Sequence, residues 1–369
     1  MKNLSIKIFD LKKQYEQLSK EIEKDVLKVL RSGQYILGPN VVKIEKKFSD
    51  FLNTKYAISC NSGTDALHLS LKALNIGKGD EVITTPFTFI STIEAIMHVG
   101  AKPVFADINL KYYNIDKNEI LKKINKKTKA IIPVHLFGNP FDVKNLKKEI
   151  NNNSIKIIED CAQSFGSEIN SQRVGSIGDI SCFSFYPTKN LGCYGDGGMI
   201  TTNSKELYNI IKKLSNHGSS TKYHHDIIGY NSRLDEIQAT ILNVKLKYID
   251  EFNLMRVKVA DTYNVNLSNI EYICTPQKDN HAHHVYHQYT ISSPVRDKIK
   301  EELKKKNIDS SIYYPISLEK QKAYKDMYND KNNYENSNKL SNTCLSLPIY
   351  PHIPEEHIYK VCDVIKNIK

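Results

Sequence analysis

Hydrophobic residues recur at helical spacing in the first part of the chain. Asp10 is suited to cap a helix start and Gly33 to end one, and between them apolar side chains return every three or four positions. Those positions are Leu11, Tyr15, Leu18, Ile22 and Val26. The spacing predicts an amphipathic helix over residues 11–30 and, after a segment bounded by glycine and proline, a second helix over 41–52.

From residue 56 onward, short apolar runs alternate with helical stretches, for example at 64–75 and 91–99. Strands that alternate with helices predict an α/β fold with a mainly parallel sheet. In such folds a ligand binds beyond the carboxyl ends of the strands, so residues there are the candidates for chemistry. The runs predicted as strands are 56–60, 81–85, 103–107, 130–136, 155–159, 180–185 and 198–202.

The pattern changes at about residue 251. A long helix with one apolar face is predicted over 233–252, where it would join two domains. The α+β elements predicted beyond it are a helix, a strand over 286–292, a lysine-rich helix to residue 306 and a helix from Pro354. We therefore predict a large α/β domain at 1–250 and a smaller C-terminal α+β domain at 251–369.

The composition is that of a soluble globular protein, with 40% hydrophobic and 25% charged residues among 369. No run of 18 apolar residues occurs and the first residues lack a signal-peptide core, so we expect a cytoplasmic protein without membrane insertion. The 7 cysteines are scattered and form no CxxC pair. This distribution suggests neither a disulfide framework nor a metal site.

The formal net charge of +11 raises the question of a nucleic-acid partner. The densest lysine runs, 122–129 and 300–307, lie on predicted polar helix ends and carry no interleaved aromatic residues. Solvated helix faces explain them better, so we expect no nucleic acid to bind. A positive field would still favour an anionic small substrate.

Lys189 differs from the other lysines in its surroundings. It lies in a glycine-rich turn segment between the apolar strands predicted at 180–185 and 198–202. A lysine held among packed residues loses hydration, so its pKa falls and its free amine can attack a carbonyl, as a Schiff-base lysine does. The alternative is a surface lysine in a loop, the better explanation for almost any other lysine in this chain.

Two strand ends carry further candidates. Residues 61–65 join a strand to a helix, and the free N–H groups there suit a phosphate. Ser62 or Thr64 acting as an ordinary helix cap explains that segment equally well. Asp160 follows an apolar strand, where it either pairs with a cation, such as a protonated pyridine nitrogen, or serves as a structural hydrogen-bonding residue.

Three other segments are weaker. The aromatic residues at 86–89 offer a ring for stacking on a heterocycle, although such residues more often belong to a core. The glycines at 192–198 resemble a dinucleotide-binding loop, but a strand follows instead of a helix, which excludes that interpretation. The histidines between 281 and 287 match no metal-ligand spacing, so we interpret them as core or surface residues.

These candidates follow one another in a meaningful order. A phosphate loop comes first, then an aromatic residue, then the strand-end Asp160, and finally Ser184 and Lys189. A pyridoxal phosphate site requires this set of groups on an α/β framework.

From about residue 7 to the C-terminus, the chain resembles the DegT/DnrJ/StrS family of sugar aminotransferases. The resemblance implies the type I, aspartate aminotransferase-like fold, a homodimer with shared active sites, and pyridoxal 5'-phosphate as cofactor, with pyridoxamine 5'-phosphate as its intermediate form. The motifs that carry it are SGQYILGP, NSGTDAL, TTPFTFISTIEAI, GAKPVFADI, IIEDCAQSFG, FSFYPTKNLGCYGDGGM, GYNSRLDEIQA and SLPIYPHI.

The resemblance also implies roles for individual residues. Lys189 matches the Schiff-base lysine of the family and Asp160 the partner of the pyridine nitrogen. The other matches to cofactor contacts are Gly63, Thr64 and Ser184 at the phosphate, Phe89 stacked on the ring, Gln163 beside it, and Asn231, which reaches the phosphate of the neighbouring subunit. Arg233 and Tyr314 fall in the substrate part of the same shared site.

Within the family, the chain is most similar to enzymes that transfer an amino group to carbon 3 of UDP-2-acetamido-2-deoxy-3-oxo-glucuronate. The similarity lies in KNLGCYGDGG, in the run HGSSTKYHHDIIGYNSRLD from His217, and in GDEVITTPFTFIST. It implies L-glutamate as amino donor and a role in surface polysaccharide synthesis, including lipopolysaccharide O-antigen. Relatives often have HYPxPLH where residues 313–319 are YYPISLE, so both histidines are missing.

Two alternatives remain beside this function. One is an aminotransferase for a dTDP- or UDP-linked 3- or 4-keto-6-deoxy sugar, and the other is a catalytically idle regulator with the same fold. Family members that dehydrate sugars typically have histidine in place of the lysine, so Lys189 favours amino transfer. The intact set of Lys189, Asp160 and Asn231 favours an enzyme over a regulator.

Overall fold

The computed structural model describes residues 5–328, 330 and 332–368. Its strands are β1 (Tyr56–Cys60), β2 (Glu81–Thr84), β3 (Lys102–Phe105), β4 (Thr128–Ile132), β5 (Lys156–Asp160), β6 (Glu168–Ile169), β7 (Gln172–Arg173), β8 (Ile180–Ser184), β9 (Gly198–Thr202), β10 (Ser219–Thr221), β11 (His224–His225), β12 (Ala282–His283), β13 (Tyr289–Ser292) and β14 (Cys344–Leu347). Each apolar run predicted as a strand overlaps one of them.

The helices enclose this framework. They are α1 (Leu11–Ser32), α2 (Pro39–Leu52), α3 (Gly63–Ala73), α4 (Ser91–His98), α5 (Lys117–Lys123), α6 (Val143–Ile150), α7 (Lys205–Leu214), α8 (Glu236–Lys245), α9 (Ile249–Leu267), α10 (Arg296–Lys305), α11 (Lys322–Lys325), α12 (Glu335–Thr343) and α13 (Glu355–Lys366). Among the described residues, no helix combines the length and hydrophobicity needed to span a lipid bilayer.

A 7-stranded sheet organises the fold, with strand order β1-β9-β8-β5-β4-β2-β3. Strands β3, β2, β4, β5 and β8 are parallel, while β9 and β1 at one edge are antiparallel to their neighbours. The predicted α/β fold with a mainly parallel sheet is confirmed. Because parallel strands end at the same edge, the residues that follow β2, β5 and β8 meet there.

Both faces of the sheet are covered, and strand β8 shows why its sequence is continuously apolar. Successive side chains of a strand point to opposite faces. Cys182 therefore packs with Leu67 and the other apolar residues of α3, whereas Phe183 packs with Phe48 of α2. In a strand that is buried on both faces, apolar and polar residues therefore do not alternate.

A separate hydrophobic core lies in the C-terminal part of the chain. The antiparallel pair β13–β14 packs there with α9, α10 and α13, and Tyr263, Tyr289 and Leu345 are fully buried among them. Helix α9 begins at Ile249 and ends at Leu267, so it runs across residue 251. The division into domains at 1–250 and 251–369 stays a prediction.

Two predicted elements have the wrong limits. The helix predicted over 233–252 begins at Glu236, because the side chain of Asp235 accepts a hydrogen bond from the backbone N–H of Gln238 and caps it there. No glycine or proline follows, so the chain passes through a short 3-10 turn into α9. The strand predicted over 286–292 is confined to β13, since Tyr286 has a φ of 43°, outside the strand region.

Candidate active site

Lys189 lies in the connection between β8 and β9 and lines a cavity of about 650 Å³. Its backbone N–H donates to the carbonyl of Tyr186 at 2.8 Å, which closes a tight turn. Gly192 completes that turn, since a Cβ atom on it would lie 2.5 Å from the carbonyl oxygen of Pro187. The turn is therefore compact enough to hold the lysine side chain in the cavity.

The Lys189 amine is poorly hydrated in this cavity. Burial lowers the pKa of Lys189 from 10.5 to about 8, and the negative charge of Asp160 opposes that shift. Half of the amine is therefore unprotonated near pH 8. A free amine is the nucleophilic and basic form of lysine, so this residue is chemically competent for carbonyl chemistry close to neutral pH.

Asp160 ends strand β5 and lies in the same cavity, with its carboxyl group buried. Thr92 Oγ1 donates to its Oδ2 at 2.9 Å, and the backbone N–H of Ala162 donates to its Oδ1 at 3.2 Å. Burial raises the pKa of Asp160, while these two donors and the charge of Lys189 oppose the shift. A cation placed against this carboxylate would be attracted strongly, because little water screens the two charges from each other.

The start of α3 forms another wall of the cavity, at Ser62, Gly63 and Thr64. Ser62 is the helix cap, and its Oγ accepts from the N–H of Asp65 at 3.0 Å. The cap interpretation and the phosphate interpretation are compatible, because the cap uses the N–H of Asp65 and leaves those of Gly63 and Thr64 available. A Cβ atom on Gly63 would lie 2.7 Å from the Cβ of Ser184, so glycine lets the helix start approach that hydroxyl.

Aromatic and amide side chains complete the cavity wall. Phe89 is 55% exposed at the cavity, whereas Phe87 is fully buried in the core, so the structure distinguishes two rings that the sequence could not. Gln163 accepts from the N–H of Phe137 at 2.8 Å through Oε1 and donates to the hydroxyl of Tyr314 at 2.9 Å through Nε2. Tyr314 thereby lines the cavity in a defined orientation.

Asn231 and Arg233 are the predicted site residues that this cavity does not include. Asn231 is exposed, in a bridge with Asn216, and Arg233 donates to Asn216 Oδ1 at 3.0 Å. Between them, the hydroxyl of Ser232 donates to Asp65 Oδ2 at 2.6 Å. This bond ties the 231–233 segment to the start of α3, while Asn231 itself is exposed and does not line the cavity of its own chain.

Several cavity residues escaped sequence reasoning. His287 and Gln288 line the cavity and are buried, although the histidines of their segment carried no recognisable ligand spacing. Thr92 donates a hydrogen bond to Asp160 from a helix that is distant in sequence, and no local sequence pattern predicts this contact. Tyr313 lines the cavity, while Glu319, the other departure from the family motif, is buried outside it and accepts a hydrogen bond from Ser317.

Residues behind Asp160 hold its strand in place. Glu159 is fully buried and accepts hydrogen bonds from His135, Ser181 and three backbone N–H groups of residues 175–178. His135 accepts from the N–H of Phe141 at 2.9 Å through Nδ1, so its Nε2 carries the proton given to Glu159. These bonds connect β5 to its neighbouring loops and so restrict the movement of Asp160.

The cavity fits pyridoxal phosphate on three counts. The crowded glycine and the free N–H groups at the start of α3 form a cradle for a phosphate. The buried Asp160 carboxylate has no ion-pair partner among the described residues, and a protonated pyridine nitrogen would supply one. Lys189 offers an amine of lowered pKa in the same cavity. Gly63, Thr64, Ser184, Asp160 and Lys189 would hold the cofactor.

The lowered pKa of Lys189 predicts how the cofactor-free protein captures pyridoxal phosphate. Below the pKa the amine is protonated and unreactive, so covalent capture is expected to quicken as the pH rises and to level off above about 8. Stopped-flow absorbance from pH 6 to 10 measures this profile. A rate that continues to rise towards pH 10 would indicate an ordinary, hydrated lysine and contradict the assignment.

Sequence comparison with known proteins also indicates an aminotransferase. The sequence model described as the DegT/DnrJ/EryC1/StrS aminotransferase family matches residues 16–366. A protein of Geobacillus stearothermophilus named pleiotropic regulatory protein is 41% identical over 98% of both chains. The UDP-N-acetyl-3-dehydro-α-D-glucosamine 3-aminotransferase of Acidithiobacillus ferrooxidans is 41% identical over 99% of this chain and 98% of the relative. The UDP-2-acetamido-2-deoxy-3-oxo-D-glucuronate aminotransferase of Pseudomonas aeruginosa is 40% identical over 98% and 100%.

Solved structures agree with the fold. The crystal structure of S. venezuelae DesV in complex with a ketimine intermediate superposes with a TM-score of 0.96, at 35% identity over 98% of both chains. The structure of NtdA from Bacillus subtilis with its bound cofactor PMP gives a TM-score of 0.88, at 31% identity over 95% of this chain and 82% of that one.

Proposed function

Because the chain belongs to the DegT/DnrJ/EryC1/StrS aminotransferase family, we propose that it moves an amino group from L-glutamate to the keto carbon of a nucleotide-linked sugar. It is a pyridoxal phosphate-dependent aminotransferase of the type I fold. One observation carries the assignment of its residues. Lys189 and Asp160, which lie on different strand ends, share one cavity with the phosphate cradle of α3.

The residues divide the work between binding and proton transfer. When bound, pyridoxal phosphate supplies an electron sink that stabilises negative charge on the carbon carrying the amino group. Lys189 would hold the cofactor through its aldehyde, and its amine, when free, would accept and return a proton at the substrate carbon. Asp160 keeps the pyridine nitrogen protonated, which strengthens the sink. Gly63, Thr64 and Ser184 hold the phosphate, and Phe89 and Gln163 border the ring.

The proposed acceptor is a UDP-linked 3-oxo sugar, with UDP-2-acetamido-2-deoxy-3-oxo-glucuronate as the first candidate. Two relatives at about 40% identity are named for UDP-linked 3-oxo or 3-dehydro sugars, and they differ in whether the sugar carries a carboxylate. Both sugars carry the anionic diphosphate of UDP, and the net positive charge favours the one whose sugar adds a carboxylate. Tyr313 lines the cavity at a position where relatives often have histidine. The identity of the sugar would depend on this difference.

A regulatory role is the second candidate, because one relative of 41% identity is named a pleiotropic regulatory protein. The chain retains the lysine, the aspartate and the phosphate cradle that catalysis uses, and a regulator without catalysis has no need of an amine with a lowered pKa. A single turnover with L-glutamate separates the two candidates, since an idle regulator would leave the cofactor in its aldehyde form.

Mass spectrometry of sugar products tests the acceptor. The pyridoxamine phosphate form of the protein is mixed with a panel of UDP- and dTDP-linked keto sugars, and an aminated product is expected from the 3-oxo-glucuronate. Amination of the neutral 3-oxo-glucosamine alone would move the assignment to the uncharged sugar. Amination of a 6-deoxy sugar alone would move it to another branch of the family.

We also propose that the protein acts in the cytoplasm as a homodimer with shared active sites and serves surface polysaccharide synthesis, including O-antigen. Asn231 is exposed and does not line the cavity of its own chain, which suits a contact with the phosphate bound by a partner. The exposed apolar residues Tyr35, Ile36 and Leu37 lie in the loop before α2 and offer a surface that a second copy would bury.

Shared sites predict complementation between two variants, one without the lysine and one that is impaired when the cofactor is limiting. Asn231→Ala is expected to weaken cofactor binding about 10–100-fold, because a hydrogen bond to a charged group is lost. In a mixed dimer with Lys189→Ala subunits, one site combines both defects and the other has neither. Mixing the two variants should therefore restore activity. Purified mixed dimers that remain inactive would contradict the shared site.

A further inference from the structure

One corner of the cavity remains without a role in cofactor binding. His287 and Gln288 line it, and both side chains are at least nine-tenths buried, with 3% and 5% of their surface exposed. Neither side chain forms a hydrogen bond with the described part of the chain, and His287 Nδ1 and Gln288 Oε1 are fully enclosed without a partner. Buried polar groups without a partner are uncommon, and at the wall of a cavity a bound ligand or water can supply the missing hydrogen bond.

A buried cation lies directly behind this corner. Arg256 of α9 is 4% exposed, and its Nη1 donates to the backbone carbonyls of Tyr286, His287 and Ile349 at 3.1–3.4 Å. Among the described residues it has no carboxylate partner, and its surroundings lower its pKa to about 10 through burial alone. A buried charge without a counter-ion favours an anion nearby, and Arg256 adjoins this corner through its hydrogen bond to the His287 carbonyl.

His287 also responds to the charge of Lys189. Burial holds the pKa of His287 well below its usual range, and the positive charges of Lys189 and Arg256 lower it further. The imidazole is therefore neutral and offers one N–H donor, and the Gln288 amide offers two more. Phe9 stacks on the imidazole at 6.2 Å between ring centroids and restricts its rotation.

We propose that His287 and Gln288, supported by Arg256, form the subsite that binds the α-carboxylate of the amino donor. The inference rests on the proposed function. The α-carboxylate is bonded to the carbon from which Lys189 takes a proton, so it must lie beside the Lys189 amine, as this corner does. The other carboxylate of glutamate is two carbons farther away. The carboxylate of a uronate sugar is the competing occupant.

Two variants test the subsite in cofactor-loaded protein. His287→Leu removes an N–H donor, and Gln288→Glu keeps the size of the side chain but adds a like charge. For each, the L-glutamate concentration at half-maximal rate of the donor half-reaction is expected to rise about 10–100-fold, as for the loss of a hydrogen bond to a charged group. His287→Asn retains a donor and should recover part of the affinity. Gln277→Glu makes the same charge change at an exposed position and serves as control.

Binding without turnover gives a second readout. Calorimetric titration with glutarate, a dicarboxylate that cannot react, should show the same loss of affinity in the two variants. L-2-Aminobutyrate, which keeps only the α-carboxylate, should lose as much as glutamate, whereas 4-aminobutyrate, which lacks it, should be unaffected. Thermal unfolding of each variant shows whether the fold is retained.

The acceptor half-reaction distinguishes the possible outcomes. Starting from protein loaded with pyridoxamine phosphate, a neutral keto sugar should react with both variants at nearly the wild-type rate. Equal losses in both half-reactions would show a structural effect and overturn the subsite, and so would a loss confined to the uronate sugar. If the wild-type protein aminates no sugar, the proposed function fails, yet glutarate binding by wild type and variants still decides the subsite.

Discussion

Lys189→Ala is expected to abolish covalent attachment of pyridoxal phosphate and to slow the half-reaction with L-glutamate by at least about 10³-fold, within the range for a removed general base. The reason is the double use of one amine. It binds the cofactor aldehyde and then carries the proton, and no other amine lines the described cavity. The measurement is a single turnover followed by absorbance, together with the protein mass after borohydride reduction.

A control variant and a second buried lysine show whether the effect is specific to Lys189. Lys78→Ala changes an exposed lysine and should leave both readouts at the wild-type value. Lys245 is the competing residue, since burial lowers its pKa to about 8 as well, but its amine donates to the carbonyl of Gly192 outside the cavity. Peptide mass mapping should locate the reduced cofactor at residue 189. Attachment at residue 245 would contradict the site.

Asp160→Asn is expected to slow the glutamate half-reaction about 10²–10³-fold while cofactor binding persists, a loss comparable to removal of a preorganised electrostatic group. Asparagine keeps the size of the side chain, and its single amide oxygen can still accept from one of the two donors, Thr92 or Ala162. It carries no charge, so the pyridine nitrogen loses its proton and the ring becomes a weaker electron sink. Absorbance spectra of the bound cofactor across pH report the change in ring protonation independently of rate.

Companion variants separate charge from position. Thr92→Val removes one donor to Asp160 and keeps the carboxylate, so its effect should be smaller than that of Asp160→Asn. Asp326→Asn removes an exposed carboxylate far along the chain and should leave the rate unchanged. If Asp160→Asn were no slower than Asp326→Asn, Asp160 would be a structural hydrogen-bonding residue, the alternative that its position at the end of a strand also allows.

The sequence by itself determined the order of strands and helices, the mainly parallel sheet, and the strand ends on which Lys189 and Asp160 lie. These features depend on local spacing. A strand covered on both faces is continuously apolar, and a helix covered on one face repeats its apolar positions every three or four residues. The limits of the helix after Asp235 were predicted less well, because a cap and a 3-10 turn change the backbone without changing the apolar pattern.

Only the tertiary structure decided which side chains meet. It buried Phe87 and left Phe89 at the cavity, brought Thr92 to Asp160, and left Asn231 exposed outside the cavity. It also placed His287 and Gln288 beside Lys189, about a hundred residues away in sequence. Burial and electrostatic environment arise from contacts between distant segments, so the local sequence around a residue does not predict them. The pKa of one lysine among many falls for the same reason.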